Sequence, residues 1–370
     1  MEDAVGRSSK LRIVSRRRVL SIVSAACAIL LVFFTAVAVA VGGFPTIQLF
    51  CSYKAVQPAQ AYGALTSVSI GSNKGWAVSA SSDFLRYANG KWQAVSVDKG
   101  AVEGVDVVSD EEAWAVGWNA NILHYKSGCW TQVSGGFRVP DFPQGTLHAV
   151  TMLSSQDGWI VGDQGILRLQ DGIWRYVDTP PDFPRNYNLY DVEALTTGEA
   201  WAVGDSSTIL HYSNGSWKVV RWTTSTGLLK PSLRSISMSQ DGEGWAVGDN
   251  GLMVHYSNGL WQQVKPPADV SLHHVQMLSA DEGWATGKGV VLHYSARSWS
   301  VVPDVNASSF HMVSNSEGWF VNSNQVFHYL NGNWSLDVEL TGRPKLAYPV
   351  QLRRFRVVQG HVHTQIVAVT

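Results

Sequence analysis

SLRSISMSQDGEGWAVGDNGLMVHYSNGLWQQV, residues 232–264, holds four short runs rich in strand-forming residues: SLRSISM, GWAVG, LMVHYS and LWQQV. The turn clusters SQDGE, DN and NGL separate them. Four strands with three short connections make one antiparallel meander. Its last connection carries Asn258-Gly259, a dipeptide that supplies the two positive φ angles of a type I′ hairpin turn. Equivalent dipeptides stand at Asn89-Gly90, Asp171-Gly172, Asn214-Gly215 and Asn331-Gly332.

The same phrase recurs along most of the chain and is marked by two tryptophans. The first members are Trp76, Trp114, Trp159, Trp201, Trp245, Trp284 and Trp319; the second are Trp92, Trp130, Trp174, Trp217, Trp261, Trp299 and Trp334. Within a repeat they lie 15 or 16 residues apart, and successive first members lie 35 to 45 apart. That period belongs to the blades of a β-propeller. A lone four-stranded sheet has apolar residues on both faces and cannot bury either. Seven sheets stacked in a ring bury both, with the tryptophan pair as the bulk between neighbours. The fold class expected is all-β: a seven-bladed propeller of four-stranded antiparallel blades over 63–340, preceded by one N-terminal transmembrane helix. A sandwich does not repeat one signature at a constant period, and neither the WD nor the kelch signature is present.

The phrase AWAVGDSSTILHYSNGSW at 200–217, with its echoes at 244–261 and 158–174, resembles the sialidase-like (Asp-box) propellers, most closely the photosystem II assembly-factor group among them. The resemblance spans about 63–340 and implies a role in assembling or stabilising a membrane protein complex. The chain departs from the pattern at the box itself. Where an Asp-box reads Ser-x-Asp-x-Gly-x-Thr-Trp, this chain has Ser213-Asn214-Gly215-Ser216-Trp217, and most copies lack the boxed Asp. The cadence of a Trp-Ala-Val strand, a Tyr and a closing Trp is similar to that of the tectonin-type lectin propellers as well. That second resemblance implies carbohydrate binding.

The 370 residues carry a net charge of −1, unevenly placed. Residues 1–18 hold six basic and two acidic groups, and 341–370 hold five basic and none acidic; 19–340 have 17 basic and 27 acidic. A mildly acidic ring without basic stripes argues against nucleic acid as a partner. No charged residue stands between Val19 and Tyr53. The 24 residues from Val19 to Gly42, at about 1.5 Å each, reach about 36 Å, enough for a bilayer core of about 30 Å. Arg16, Arg17 and Arg18 precede them. The positive-inside rule then gives a cytoplasmic tail at 1–18, a signal-anchor helix at 19–43, a linker at 44–62 and a propeller on the extracytoplasmic side of the cell membrane. The alternative is a secreted propeller, cleaved after the small residues Ala36, Ala38 and Ala40. Of three cysteines, Cys27, Cys51 and Cys129, the last two could form a bridge in an oxidising compartment. The basic tail 341–370 lacks the repeat but has two alternating runs, 350–358 and 363–369, and is expected to supply a strand that closes the ring.

Polar residues borne by the repeats are candidates of a second kind. His124, His211, His255, His293 and His328 occupy the third strand, one per repeat. Adjacent sheets pack about 10 Å apart, too far for such residues to share one metal, so they read as hydrogen-bonding groups between blades. Glu112, Asp157, Glu199, Glu243, Glu282 and Glu317 stand two positions before the first tryptophan, and read as turn residues bonded to their own backbone. We assign no metal, cofactor or catalytic residue. Phe137-Arg138-Val139-Pro140 resembles the Phe/Tyr-Arg-Ile-Pro element of sialidases, but it lies between the second and third repeats. The chain also shows no arginine triad and no Tyr-Glu pair. The repeats differ in loop length instead, for three consecutive connections are longer than the rest. They carry Phe137, Arg138 and Phe142, then Phe183, Arg185 and Tyr187, then Arg221, Trp222 and Lys230. Aromatics among arginines, on loops of a rigid scaffold, make binding hot spots; as the alternative, the Phe side chains tuck onto the ring. The function expected is a non-catalytic protein-binding or assembly scaffold. A glycan-binding propeller stands second and a sialidase-type glycosidase third.

Overall fold

The computed structural model describes residues 64–97, 100–133, 145–163, 165–222 and 230–339, with the backbone of 355–358 and 361–364. The chain divides into two units, 1–49 and 50–370, and every described residue belongs to the second. The expected tail at 1–18, helix at 19–43 and linker at 44–62 lie outside the described residues. Among those described, no helix is long and apolar enough to cross a membrane.

Seven four-stranded antiparallel sheets follow one another at 65–96, 102–132, 147–177, 189–219, 233–264, 272–302 and 309–339, here blades 1 to 7. Each is a meander in chain order. Blade 4, for example, runs Leu189–Thr196, Glu199–Gly204, Thr208–Ser213 and Ser216–Val219. The first strand of each blade faces the first strand of the next, and that of blade 1 meets that of blade 7, so the ring closes.

The tryptophan ladder works between repeats rather than within them. Each first tryptophan meets the second tryptophan of the following blade: Trp76–Trp130, Trp114–Trp174, Trp159–Trp217, Trp201–Trp261, Trp245–Trp299 and Trp284–Trp334, with ring centroids 5.1 to 6.2 Å apart and planes near perpendicular. A third-strand tyrosine of the following blade completes most of these contacts, as in Trp159–Tyr212 at 4.7 Å. Twelve of the fourteen ladder tryptophans are buried, and Trp299 and Trp334 are half-buried. Edge-to-face aromatic pairs contribute about 0.5–1.5 kcal/mol beyond area burial.

The seam between blades 7 and 1 is made in the same way. Trp319 lies 4.9 Å from Tyr87 and shares one apolar cluster with Trp92, Leu65 and Val68. The Ser308 hydroxyl donates to the carbonyl of Leu65 at 3.1 Å. Blades 1 and 7 each take all four strands from 65–96 and 309–339, whereas Phe355–Val358 and His361–Thr364 pair with one another in a two-stranded sheet. The strand expected from the tail is therefore no part of either blade among the described residues.

The outer hairpins follow the sequence. Asn214 and Gly215 have φ of 51° and 82°, and the other four Asn-Gly or Asp-Gly pairs are alike. Blade 6 makes the turn with Ala296 and Arg297 at φ of 48° and 61°, a conformation that costs a residue with a Cβ about 1–2 kcal/mol. The glycine that closes the second strand has another cause. A Cβ on Gly204 would stand 2.0 Å from the carbonyl oxygen of Asn188, so only glycine admits the approach of the first strand there.

Removing residues 341–370 is expected to move the thermal midpoint of the ring by less than about 2 °C, or under about 1 kcal/mol, as read by calorimetry. Replacing Ala296 by Asn and Arg297 by Gly together is expected to raise that midpoint by about 2 °C or more, because the turn then has residues suited to its dihedrals.

Candidate functional site at one mouth of the ring

Strand reversal puts every blade-to-blade connection on one face, together with the turns between second and third strands. On that face the first strand of six blades carries a register shift, and the displaced residues are Thr66, Glu103, His148, Tyr190, Arg234 and His273. A β-bulge re-aims one side chain. All six line an axial cavity of about 290 Å³.

The bulged residues of blades 2 to 5 form a connected arc. The indole of Trp118, 50 % exposed, donates to Glu103 Oε1 at 2.6 Å. His148 lies between two carboxylates, with Nδ1 2.7 Å from Glu103 Oε2 and Nε2 2.9 Å from Asp163 Oδ1. The His148 ring stands 5.2 Å from that of Tyr190. The Arg234 guanidinium lies 4.1 Å over the other end of the pairing, the Tyr190 ring. Tyr190 donates to Asp205 Oδ1 at 2.9 Å, and Arg234 grips Asp249 with two bonds of 3.0 and 2.7 Å. The aspartates come from one repeat position, after the glycine that ends the second strand: Gly162-Asp163, Gly204-Asp205 and Gly248-Asp249. In blade 2 Trp118 occupies that position.

Deeper in the cavity, side chains of one first strand bond the backbone of the next. Ser67 and Ser69 accept from the amides of Val105 and Val107, Asp106 from Met152, Asp191 from Ile236, Glu193 from Met238, Ser235 and Ser237 from Val275 and Met277, and Gln276 from Met312. These bonds reach the inner edges of blades 2, 3, 5, 6 and 7.

Burial governs the titration here. Burial pushes the Glu193 carboxyl up to about 8 and Asp191 up to about 6, against the bonds each accepts. It raises Asp106 too, and it pulls His274 and His311 down to about 4. His148 goes the other way: burial lowers its pKa, but the bonds and charges of Glu103 and Asp163 outweigh that and raise it above 6.5. Both ring nitrogens are directed at carboxylates, a geometry that favours the doubly protonated imidazolium. Among the described residues no three His, Cys, Asp or Glu side chains come together to hold a metal ion.

The residues proposed from the long connections fare differently. Phe137, Arg138 and Phe142 lie outside the described residues. Phe183 is only 4 % exposed and packs in the core between blades 3 and 4, with Tyr187 half-buried against it. Trp222 packs on the core between blades 4 and 5 and donates its indole N–H to the carbonyl of Ser207 at 3.1 Å. Arg185, Arg221 and Lys230 are exposed, and Arg221 reaches Asp182 at 3.1 Å across two connections. Phe183 is thus a packing residue, as the alternative reading held. Cys129 is disulfide-bonded; Cys51 lies outside the described residues.

The repeat-borne histidines and acids prove to be partners of one another within a blade, not links between blades or caps of their own turns. Nε2 of His124, His211, His255, His293 and His328 lies 2.5 to 3.3 Å from Glu112, Glu199, Glu243, Glu282 and Glu317. Each imidazole stacks on the first tryptophan of its blade at 3.8 to 4.5 Å. In blade 3, Arg168 and Asp157 replace the pair, with the guanidinium 4.7 Å over Trp159.

No family model matches the chain, and no curated protein is similar to it in sequence. Solved structures similar in fold include YCF48 bound to D1 peptide, with 19 % identity, a TM-score of 0.58 and coverage of 76 % of this chain and 97 % of that one. YCF48 from Cyanidioschyzon merolae is similar over 76 % and 100 % at 16 % identity and a TM-score of 0.60. A catalytically inactive virginiamycin B lyase from Staphylococcus aureus, with quinupristin, is similar over 76 % and 98 % at 12 % identity and a TM-score of 0.57. At these identities the likeness establishes the propeller fold.

The raised carboxyl of Glu193 has a signed consequence. The folded chain keeps the Glu193 proton between pH 4.5 and about 8 while the unfolded chain releases it, so this group lowers stability as pH rises through that window. Glu193→Gln, which can still accept from Met238, is expected to match the wild type near pH 4.5 and to melt at a higher temperature at pH 8. Paired thermal melts at the two pH values check this.

Proposed function

We propose that the chain is a membrane-anchored, extracytoplasmic propeller that acts without catalysis and binds a segment of a partner protein at the mouth carrying the arc. The observation that carries this reading is the arc from Trp118 to Arg234, which is built on one face and is unequal among the blades. A single site must break the symmetry of the ring, and bulges that re-aim side chains are a device for it. A half-exposed tryptophan and an arginine stacked on tyrosine are the residue types that anchor protein partners. The neighbour titled as bound to a peptide lends support as an analogy of fold.

A non-catalytic role agrees with the bonding of His148. Both of its nitrogens are spent on carboxylates, which leaves no lone pair to take a proton from a substrate. A lectin with equivalent sites in every blade would need the repeated aromatics at the surface, whereas the ladder is buried. The membrane anchor rests on the uncharged stretch from Val19 and the arginines before it. The disulfide at Cys129 fits an oxidising compartment.

Photocrosslinking in the native host tests the reading. A photoreactive residue at 118 is expected to capture a discrete protein, and the same residue at Leu260, exposed on an outer strand, to capture none. Arg234→Ala is expected to reduce capture from 118 at least about tenfold, the scale of a hot-spot loss. Equal capture from 118 and 260, or none from 118, overturns it.

A further inference from the structure

The inner collar needs hydrogen-bond acceptors, not charges. In blades 1 and 5, Ser69 and Ser237 hold the amides of Val107 and Met277, and in blade 6 Gln276 both accepts from the amide of Met312 and donates to its carbonyl. At the layer above, Ser67 and Ser235 do the same for Val105 and Val275. Blade 4 does this work with Asp191 and Glu193, and no cationic side chain among the described residues pairs with either. A buried carboxyl group, whether it keeps its proton or ionises without a counter-charge, costs more than the neutral residue that serves equally well in other blades. A departure from local economy that architecture does not demand marks a functional position.

A cation entering the cavity would supply the missing counter-charge and let both carboxyl groups ionise. Asp191 and Glu193 line the axial cavity together with Asp106. The cations on the bulges above are already matched, since His148 sits between two carboxylates and Arg234 makes two bonds to Asp249; Lys288 is exposed on the blade 6 turn. His311 lines the same cavity and makes no hydrogen bond among the described residues. Its neutral imidazole offers a lone pair to a donor. A volume of about 290 Å³ lies at the small end of ligand sites and suits one long side chain. With no cluster of metal-ligating groups among the described residues, the guest inferred is an organic cation.

We propose, on the footing of the platform reading above, that the axial cavity receives one lysine or arginine side chain of the bound polypeptide, whose charged head is held by Asp191 and Glu193 with His311 as a further acceptor. The arc at the mouth takes the flanking residues of the same segment.

The test uses the full chain in a mild detergent and a phage-displayed random dodecapeptide library, with free spermidine as a separate probe. Asp191→Asn with Glu193→Gln keeps the collar bonds and removes the charge; Glu193→Asp keeps the charge, and Glu193→Gln alone serves if the double variant melts early. Selected peptides are expected to share one Lys or Arg. Changing it to Gln should weaken binding at least tenfold for the wild type and Glu193→Asp, and less than threefold for the neutral variant. Peptides that bind, compete with one another and lose affinity on Arg234→Ala, but show no such dependence on Asp191 and Glu193, overturn the cavity assignment and leave the platform standing. No peptide selected, with or without spermidine binding, overturns both.

Discussion

Everything in this ring hangs from one contact repeated head to tail: the first tryptophan of a blade set edge-on against the tyrosine and second tryptophan of the next. The contact is heterologous, since one side of each blade gives what the other side receives, and such contacts close only at the right rotation. Seven copies close it, with Trp319 meeting Tyr87 and Trp92 as the last. The requirement is bulk more than polarity. Eleven ladder indoles bury an N–H that no acceptor within the described chain receives, against the usual habit of buried tryptophan.

Packing the blades by their faces leaves the inner edge of every first strand without a ladder partner. Amides are costly to leave unpaired in a buried tunnel, and in blades 2, 3, 5, 6 and 7 side chains of the preceding blade bond them. The deeper part of the axis is polar for this reason. The bulges near the connection face then add a second tier, where one residue in each of six blades is free of both the core and the collar. Serine, glutamine and carboxylate all meet the first need, and histidine, tyrosine and arginine appear in the second. Identity is constrained by architecture in the core, loosely in the collar and hardly at all at the mouth, which is where the blades differ.

The fold was legible because its cause is periodic: bulk every 35 to 45 residues and Asn-Gly at the hairpins. The Glu–His pairs were legible too, had the repeats been compared in pairs. His and Glu occur together in five blades, Arg168 replaces His in the blade where Asp157 replaces Glu, and blade 1 has Lys74 and Arg86 in the two places. The two positions vary as one, which residues in contact do. The mouth was not legible. Reading His148 or Arg234 as aimed at the axis requires knowing that the first strand slips by one residue, and that slip is set by pairing with the second strand and by its closing glycine, not by any local composition. Trp118 left a faint mark, as one of two tryptophans outside the ladder. The other, Trp222, was chosen with Phe183 because aromatics on a loop look free, yet both close the ends of the core between blades.

The seam between blades 7 and 1 carries a consequence for how the chain finds this shape. Six of the seven interfaces join neighbours in sequence, so blades can accrete one upon another as repeat arrays do, each step closing a short loop. The seventh joins residues such as Leu65 and Ser308, whose encounter must await nearly all the others, although loop-closure entropy grows only slowly with length. Among the described residues no strand crosses the seam to bind it by a backbone ladder. Folding is therefore local until its final event, and the interface last to form is also the one whose opening disturbs only a single set of side-chain contacts: the ring has a natural place to breathe.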